Sequence, residues 1–196
     1  MSDEHSLPNR LAADLDGHFE ELVRTFQDRL YGFTLRLTSS PQDAEESAQD
    51  TFVRAYRALQ RYPKERIATI KLKAWLYQIA LNVVRNRVRR GRLTQVTLDA
   101  PVSDSLASDA REDHPDQVVI GVEGQARMAN ALQKLPERYA TAVVLRHVQG
   151  LSYEEAGQVL GQPVGTTKSD VHRGLRLLRA ALEPELELDP VGEPIA

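Results

Sequence analysis

LPERYATAVVLRHVQGLSYEEAGQVLGQPVGTTKSDVHRGLRLLR, residues 135–179, decides the fold class, because it holds three helix signals in succession and no strand signal. Leu135-Pro136 opens a helix with Ala140, Val143, Val144 and Val148 inward and Gly150 as its stop. Ser152 and Glu155 make a capping box for a short helix ending at Leu160, and Gly161 supplies the turn. A longer helix from about Gly165 to Leu182 then buries Val171, Leu175, Leu178 and Leu182. Short helix, glycine turn and longer helix are the spacing of a helix-turn-helix, with Lys168, Ser169, His172, Arg173 and Arg176 facing a major groove. The plain alternative is a helical hairpin with a solvated basic face; capping, turn and charge together favour DNA. Within the stretch, GQPVGTTKS superficially looks like a phosphate-binding loop. The lysine does not follow the second glycine directly, and a helix precedes the segment where a buried strand is required, so that reading fails.

Moving towards the N-terminus, a helix at about 122–134 is preceded by a stretch from Leu93 to Gly121 where periodicity collapses into Asp, Ser, Ala, Pro and Val. This reads as a flexible acidic linker at a domain boundary. Before it lies the clearest helix of the chain, with Leu72, Trp75, Leu76, Ile79, Ala80, Val83, Val84 and Val88 on one stripe and Gln78, Asn82, Arg85 and Arg89 opposite. Trp75 reads as a core anchor, and Asn82 as an amide that either meets a base edge or faces solvent. A basic loop separates this helix from another, in which Ser40 is the N-cap, Pro41 the first position and Asp43 the third. Ala44, Ala48, Phe52, Ala55 and Leu59 share one face of it, and Tyr62-Pro63 ends it. Phe19, Leu22, Val23, Phe26, Leu30, Phe33 and Leu37 mark a further helix over 17–38. Residues 1–16 read as an unstructured leader. Residues 183–196, with five acids and three prolines, read as an acidic tail without a stable fold.

The net charge of -3 conceals a polarised chain. Residues 54–98 carry twelve basic side chains against one acidic, and 124–182 eight against four, while 1–53, 99–123 and 183–196 are acidic. Two basic blocks imply two polyanion-binding surfaces, since a phosphate backbone rewards clustered Lys and Arg through counterion release. Arg85, Arg87, Arg89, Arg90 and Arg92 repel one another unless a polyanion or an acidic surface lies near, or the segment is a solvated tail. The absence of cysteine excludes disulfides, thiolate zinc sites and cysteine nucleophiles, and the five histidines never fall at metal-ligand spacing, so neither metal nor cofactor is expected. No apolar run is long enough for membrane insertion and nothing marks the N-terminus for export, so a cytoplasmic location is expected.

The arrangement from about Phe19 to Leu182 resembles the extracytoplasmic-function sigma factors of the sigma-70 superfamily. DAEESAQDTFVRAYRAL at 43–59 is similar to sigma region 2.2, KAWLYQIALNVVRNRVRR at 73–90 to regions 2.3 and 2.4, and residues 135–179 to region 4. The resemblance implies an all-α fold: a region 2 domain over 17–93 and a region 4 domain over 122–182, joined by a linker over 94–121. It implies a non-enzymatic factor that binds core RNA polymerase and directs it to minus-10 and minus-35 promoter elements. On that basis Asp43, Glu46, Asp50 and Phe52 are the candidates for the clamp helices of the polymerase largest subunit. Lys64, Lys71, Lys73, Asn82, Arg85 and Arg89 are the candidates for minus-10 DNA; Lys168, Ser169, His172, Arg173 and Arg176 are those for minus-35 DNA. The flap of the second polymerase subunit, promoter DNA and an anti-sigma factor are the further expected partners.

Two departures from the family pattern stand out. Asp170 occupies a position where a basic residue is frequent, implying a lost phosphate contact or a changed base preference. Ala156-Gly157 stands where a larger aliphatic and an alanine are usual, and a helical glycine costs about 1 kcal/mol, so that helix is expected to be weakly held. The rival reading is a free-standing dimeric helix-turn-helix regulator, which would need neither the acidic helix nor the basic face of residues 43–90.

Overall fold

The computed structural model describes residues 6–95 and 122–186, and among these the chain is helical with no strand. The linker stretch 96–121, the first five residues and the tail beyond Leu186 lie outside the described residues. Five helices build the N-terminal domain: α1 (Leu7–Ala13), α2 (Leu15–Thr38), α3 (Pro41–Leu59), α4 (Lys64–Thr69) and α5 (Leu72–Gln95). The C-terminal domain holds α6 (Val122–Gln133), α7 (Glu137–Val143), a π turn (Val144–Val148), α8 (Tyr153–Leu160) and α9 (Val164–Leu186).

The α2–α3 hairpin follows from its turn. Ser39 ends α2 in the left-handed region at φ 58°, and the Ser40 hydroxyl accepts from the Asp43 N–H at 3.2 Å to start α3, with Pro41 in the first turn as the sequence indicates. Thr34, fully buried, stitches the pair by donating to the Ala44 carbonyl at 2.9 Å. Leu22, Phe26, Leu30 and Phe33 then meet Leu59, Leu76 and Ala80 in the core. The basic loop expected after Tyr62-Pro63 is instead the short helix α4, whose Ile67 is buried. Arg66 lies 3.7 Å above the Tyr62 ring, and Tyr62 faces Trp75 at 6.2 Å, so Trp75 packs against the core as an anchor.

The unstructured leader is corrected for its described part. Leu7 and Leu11 are each 1% exposed, α1 packs on α4 and α2, and Arg10 holds Glu21 through both guanidinium ends at 2.7 and 2.6 Å. A one-turn apolar pair a few residues from the terminus is too short for a periodicity argument to detect. The helix opened by Leu135-Pro136 also departs from expectation. It gives way after Val143 to the π turn, in which the Gln149 N–H reaches the Val144 carbonyl at 2.9 Å, and this turns Val148 outward to 42% exposure. Gly150 and Gly161 end their helices at φ 66° and 67°, the left-handed stops their positions indicate.

The two domains are not independent. α8 packs on α5 and α6 on α2, and one hydrophobic cluster runs through both domains. Because α1 completes the wall beneath α4, Leu11→Ala is expected to destabilise the protein by about 2–4 kcal/mol, measured by urea unfolding.

Candidate nucleic-acid interface

Helical geometry separates the acidic candidates from their aromatic companion. Asp43, Glu46 and Asp50 fall on the outer side of α3, whereas Phe52 is partly buried against the core. The apolar side chain among the acids is Val53, 46% exposed, which sequence reasoning missed. Arg87 reaches across from α5, its Nε donating to Asp43 at 2.8 Å and a terminal nitrogen to Glu46. These contacts, the one to Glu46 first, raise its pKa. One member of the arginine cluster therefore answers an acidic surface within the chain. Asp50 is paired with Arg54 at 2.8 Å one turn on.

Asn82, Arg85 and Arg89 are exposed on one edge of α5 together with Gln78; Lys64 and Lys71 are exposed near the start and end of α4, and Lys73 is half-buried. This edge adjoins the C-terminal domain. Gln78 donates to the Gln158 carbonyl at 3.4 Å, Arg85 pairs with Glu137 at 3.3 Å, and the Tyr77 hydroxyl donates to the Gln149 side chain at 2.5 Å. Tyr77 and Leu81, 0% and 1% exposed, lie outside the apolar stripe legible in the sequence.

All five residues expected on the recognition helix, Lys168, Ser169, His172, Arg173 and Arg176, are exposed on α9. Each flank has an aromatic support. Lys168 stands 5.6 Å from the Tyr153 ring, which also carries Arg146 at 4.9 Å, and Arg173 donates to the Tyr139 hydroxyl at 3.1 Å. That hydroxyl raises the Arg173 pKa. Next to Tyr153, Glu154 has its carboxyl held below the usual range, first by its own backbone N–H and the Ser152 side chain, then by Lys168 and Lys71.

Asp170 does not face the groove. Its residue is 4% exposed, and its carboxylate accepts from Arg138 at 2.7 Å and from Gln162 of the helix-turn-helix turn at 2.9 Å, tying α9 to α7 and to the turn. Asp170 raises the Arg138 pKa, and the Arg138 side chain remains 59% exposed beside Arg173 and Tyr139. A positive charge thus reaches the surface from α7, fixed by the Asp170 carboxylate. Gly157 is explained by contact as well: a Cβ there would stand 3.0 Å from the Gln162 carbonyl and 3.3 Å from Thr167 Oγ1. At Ala156-Gly157 α8 approaches the turn closely, with Ala156 0% exposed and both halves of the Ser152–Glu155 capping box formed. Gly157→Ala is expected to lower stability by about 1–3 kcal/mol, opposite in sign to the gain a solvated helical position gives; denaturant unfolding of the full chain measures it.

Among the described residues no group of side chains is arranged to hold a metal ion, and no helix is long and apolar enough to cross a membrane. Comparison with known proteins assigns both domains. The family models described as Sigma-70 region 2 and Sigma-70, region 4 match residues 22–94 and 125–178. The chain is 36% identical over 82% of its length to the ECF RNA polymerase sigma factor SigE of Mycolicibacterium smegmatis, spanning 60% of that protein. It is 32% identical over 84% of its length to the ECF RNA polymerase sigma factor SigW of Bacillus subtilis, spanning 88% of that protein. Among solved structures, the sigma factor RpoE of Bartonella quintana, in complex with the anti-sigma factor NepR, superposes with a TM-score of 0.65 at 28% identity. The match covers 87% of this chain and 98% of that one.

Proposed function

Since the chain belongs to the extracytoplasmic-function sigma factors of the sigma-70 superfamily, we propose a division of labour among its three charged faces. The protein is a promoter-recognising transcription initiation factor that binds core RNA polymerase; RNA synthesis itself is the work of the core. The acidic side of α3, with Asp43, Glu46 and Asp50 around exposed Val53, is the clamp-helix surface of the N-terminal domain, and Phe52 supports it from within. Arg87 holds the two leading carboxylates in register. The edge of α5 with Asn82, Arg85 and Arg89, extended by Lys64, Lys71 and Lys73, tracks the single-stranded minus-10 element: cations follow the backbone and the amide meets a base edge. The outer face of α9 enters the minus-35 major groove, with Ser169 and His172 central and Lys168, Arg173 and Arg176 towards phosphates.

Arg138 joins this last set as a phosphate contact from α7, its guanidinium fixed by Asp170. The observation that carries the reading is that one chain presents an acidic face organised from within by Arg87 and two basic faces on separate helices, which a dimeric regulator would not need. An anti-sigma factor, as seen with the Bartonella relative, is a further partner, and the location is the cytoplasm, where core polymerase and promoter DNA reside. The polymerase flap completes the set of contacts on the C-terminal domain.

Co-elution with core polymerase in size-exclusion chromatography is the primary test. Glu46→Lys is expected to weaken that complex about ten-fold, because it places a like charge beside Arg87 and reverses the face; an unaffected complex would remove α3 from the interface. On minus-35 duplex DNA, Arg138→Ala and Arg173→Ala should each lower affinity several-fold across sequences and reduce the salt slope by about one. A change of base preference with an unchanged slope would instead make them base readers.

A further inference from the structure

α4 cannot hold its own shape. It is six residues long, far below the length at which a helix stands alone in water, and Pro63 at its N-cap offers no side-chain acceptor to the first turn. Burial fixes it instead. Ile67, 5% exposed, lies in one cluster with Leu7 and Leu11, and α1 is the main helical neighbour of α4 among the described residues. α1 in turn is anchored to α2 at two points. Asp14 closes α1 through its N–H to the Arg10 carbonyl at 2.9 Å and opens α2 by accepting from the Gly17 N–H at 3.0 Å, so the corner between the helices is a single residue. One turn earlier Arg10 grips Glu21 of α2 with both terminal nitrogens. The other side of α4 adjoins the residues assigned to minus-10 DNA. Lys64, Arg66 and Thr69 are exposed on it and Lys71 follows; Arg66 lies over the Tyr62 ring, which faces Trp75.

We propose that α1 is a positioning element for minus-10 capture, acting through α4, with Arg10–Glu21 as the latch that keeps it docked. This rests on the assignment of Lys64 and the α5 edge to the minus-10 element. No residue of α1 touches DNA in this arrangement. Holding a single strand requires cations spaced along its backbone and a flat face at a fixed height for a base. When α1 leaves, α4 loses its support, and Lys64 and the Arg66–Tyr62 stack lose their placement, whereas Arg85 and Arg89 sit on the long helix α5 and keep theirs. Undocking therefore lowers discrimination more than it lowers general attraction for a polyanion. The apparent affinity for the cognate strand falls with the fraction of chains in which α4 is in place. The latch is open to adjustment: the Arg10 and Glu21 side chains are 37% and 33% exposed, so breaking the pair loosens α1 without unfolding the domain.

Arg10→Glu sets two carboxylates against each other, Glu21→Arg sets two guanidinium groups against each other, and the double exchange restores an opposite pair. Leu11→Ala thins the cluster beneath α4 without touching the latch. Trp75 is the single tryptophan of the chain and its ring faces Tyr62, so its emission reports α4 directly. The emission is expected to shift in each single variant and to return in the double exchange. In holoenzyme reconstituted with core polymerase, a single-stranded oligonucleotide bearing the minus-10 sequence of a mapped start site should bind about three- to ten-fold more weakly with each single variant and recover with the double exchange. A scrambled strand of the same length should change by less than about two-fold, because the α5 cations remain in place. Minus-35 duplex affinity and co-elution with core should match the wild type, since α9 and the acidic side of α3 are unaltered. A shifted Trp75 emission with unchanged affinity for the cognate strand would overturn the role in capture. Unchanged emission and affinity in all single variants would show that α4 stands without α1. Equal losses on both strands would make α1 a stabiliser of the fold and not a positioning element. A wild-type holoenzyme that does not prefer the minus-10 strand to the scrambled one would overturn the minus-10 assignment itself.

Discussion

The Tyr77 ring is sealed in the N-terminal core, edge-on to Phe33 at 5.0 Å, while its hydroxyl ends on Gln149 of the other domain. A tyrosine placed so must bury its ring and still satisfy its O–H, and Gln149, from outside the bundle, accepts that hydrogen bond. This sets the role of α5. One arc of the helix, through Leu72, Leu76, Ala80, Val83 and Val84, is buried; the Tyr77 hydroxyl, Gln78 and Arg85 reach the C-terminal domain; the remaining edge carries the polar and basic side chains. The helix whose edge is proposed to meet minus-10 DNA is thus also a wall shared by the two domains.

Charge is partitioned by the same economy of placement. Arg87 and Asp170 look from the sequence like members of outward-facing sets, yet Arg87 crosses along the surface to hold Asp43 and Glu46, and Asp170 turns inward to hold Arg138 and Gln162. Each fixes the geometry of a neighbouring surface without belonging to it. Burying a carboxylate is costly unless it is hydrogen-bonded and paired; the Asp170 carboxylate accepts from both Arg138 and Gln162, so that cost is offset locally and its effect is exported as the fixed guanidinium of Arg138.

Elements whose signals are local were legible in the sequence. The Ser40 cap, the Ser152–Glu155 box, the two glycine stops and the exposed face of α9 each depend on residues a few positions apart, and all stand where those residues indicate. Features set by contacts distant in sequence were not. The burial of Leu7, Leu11, Tyr77 and Leu81, the inward turn of Asp170 and the close approach at Gly157 each require knowing what lies opposite. The π turn was missed for another reason: it adds a single residue to a helical run whose apolar pattern is otherwise continuous, and Val148 shows the slip by facing out.

The central claim is that this chain gives core polymerase a promoter address it otherwise lacks. Run-off transcription from sheared genomic DNA, with core polymerase in the presence and absence of the protein and mapping of new 5′ ends, tests it most directly. Discrete start sites are expected only when the protein is present, sharing upstream minus-10 and minus-35 elements. No new starts, although the protein binds duplex DNA by itself, would contradict it.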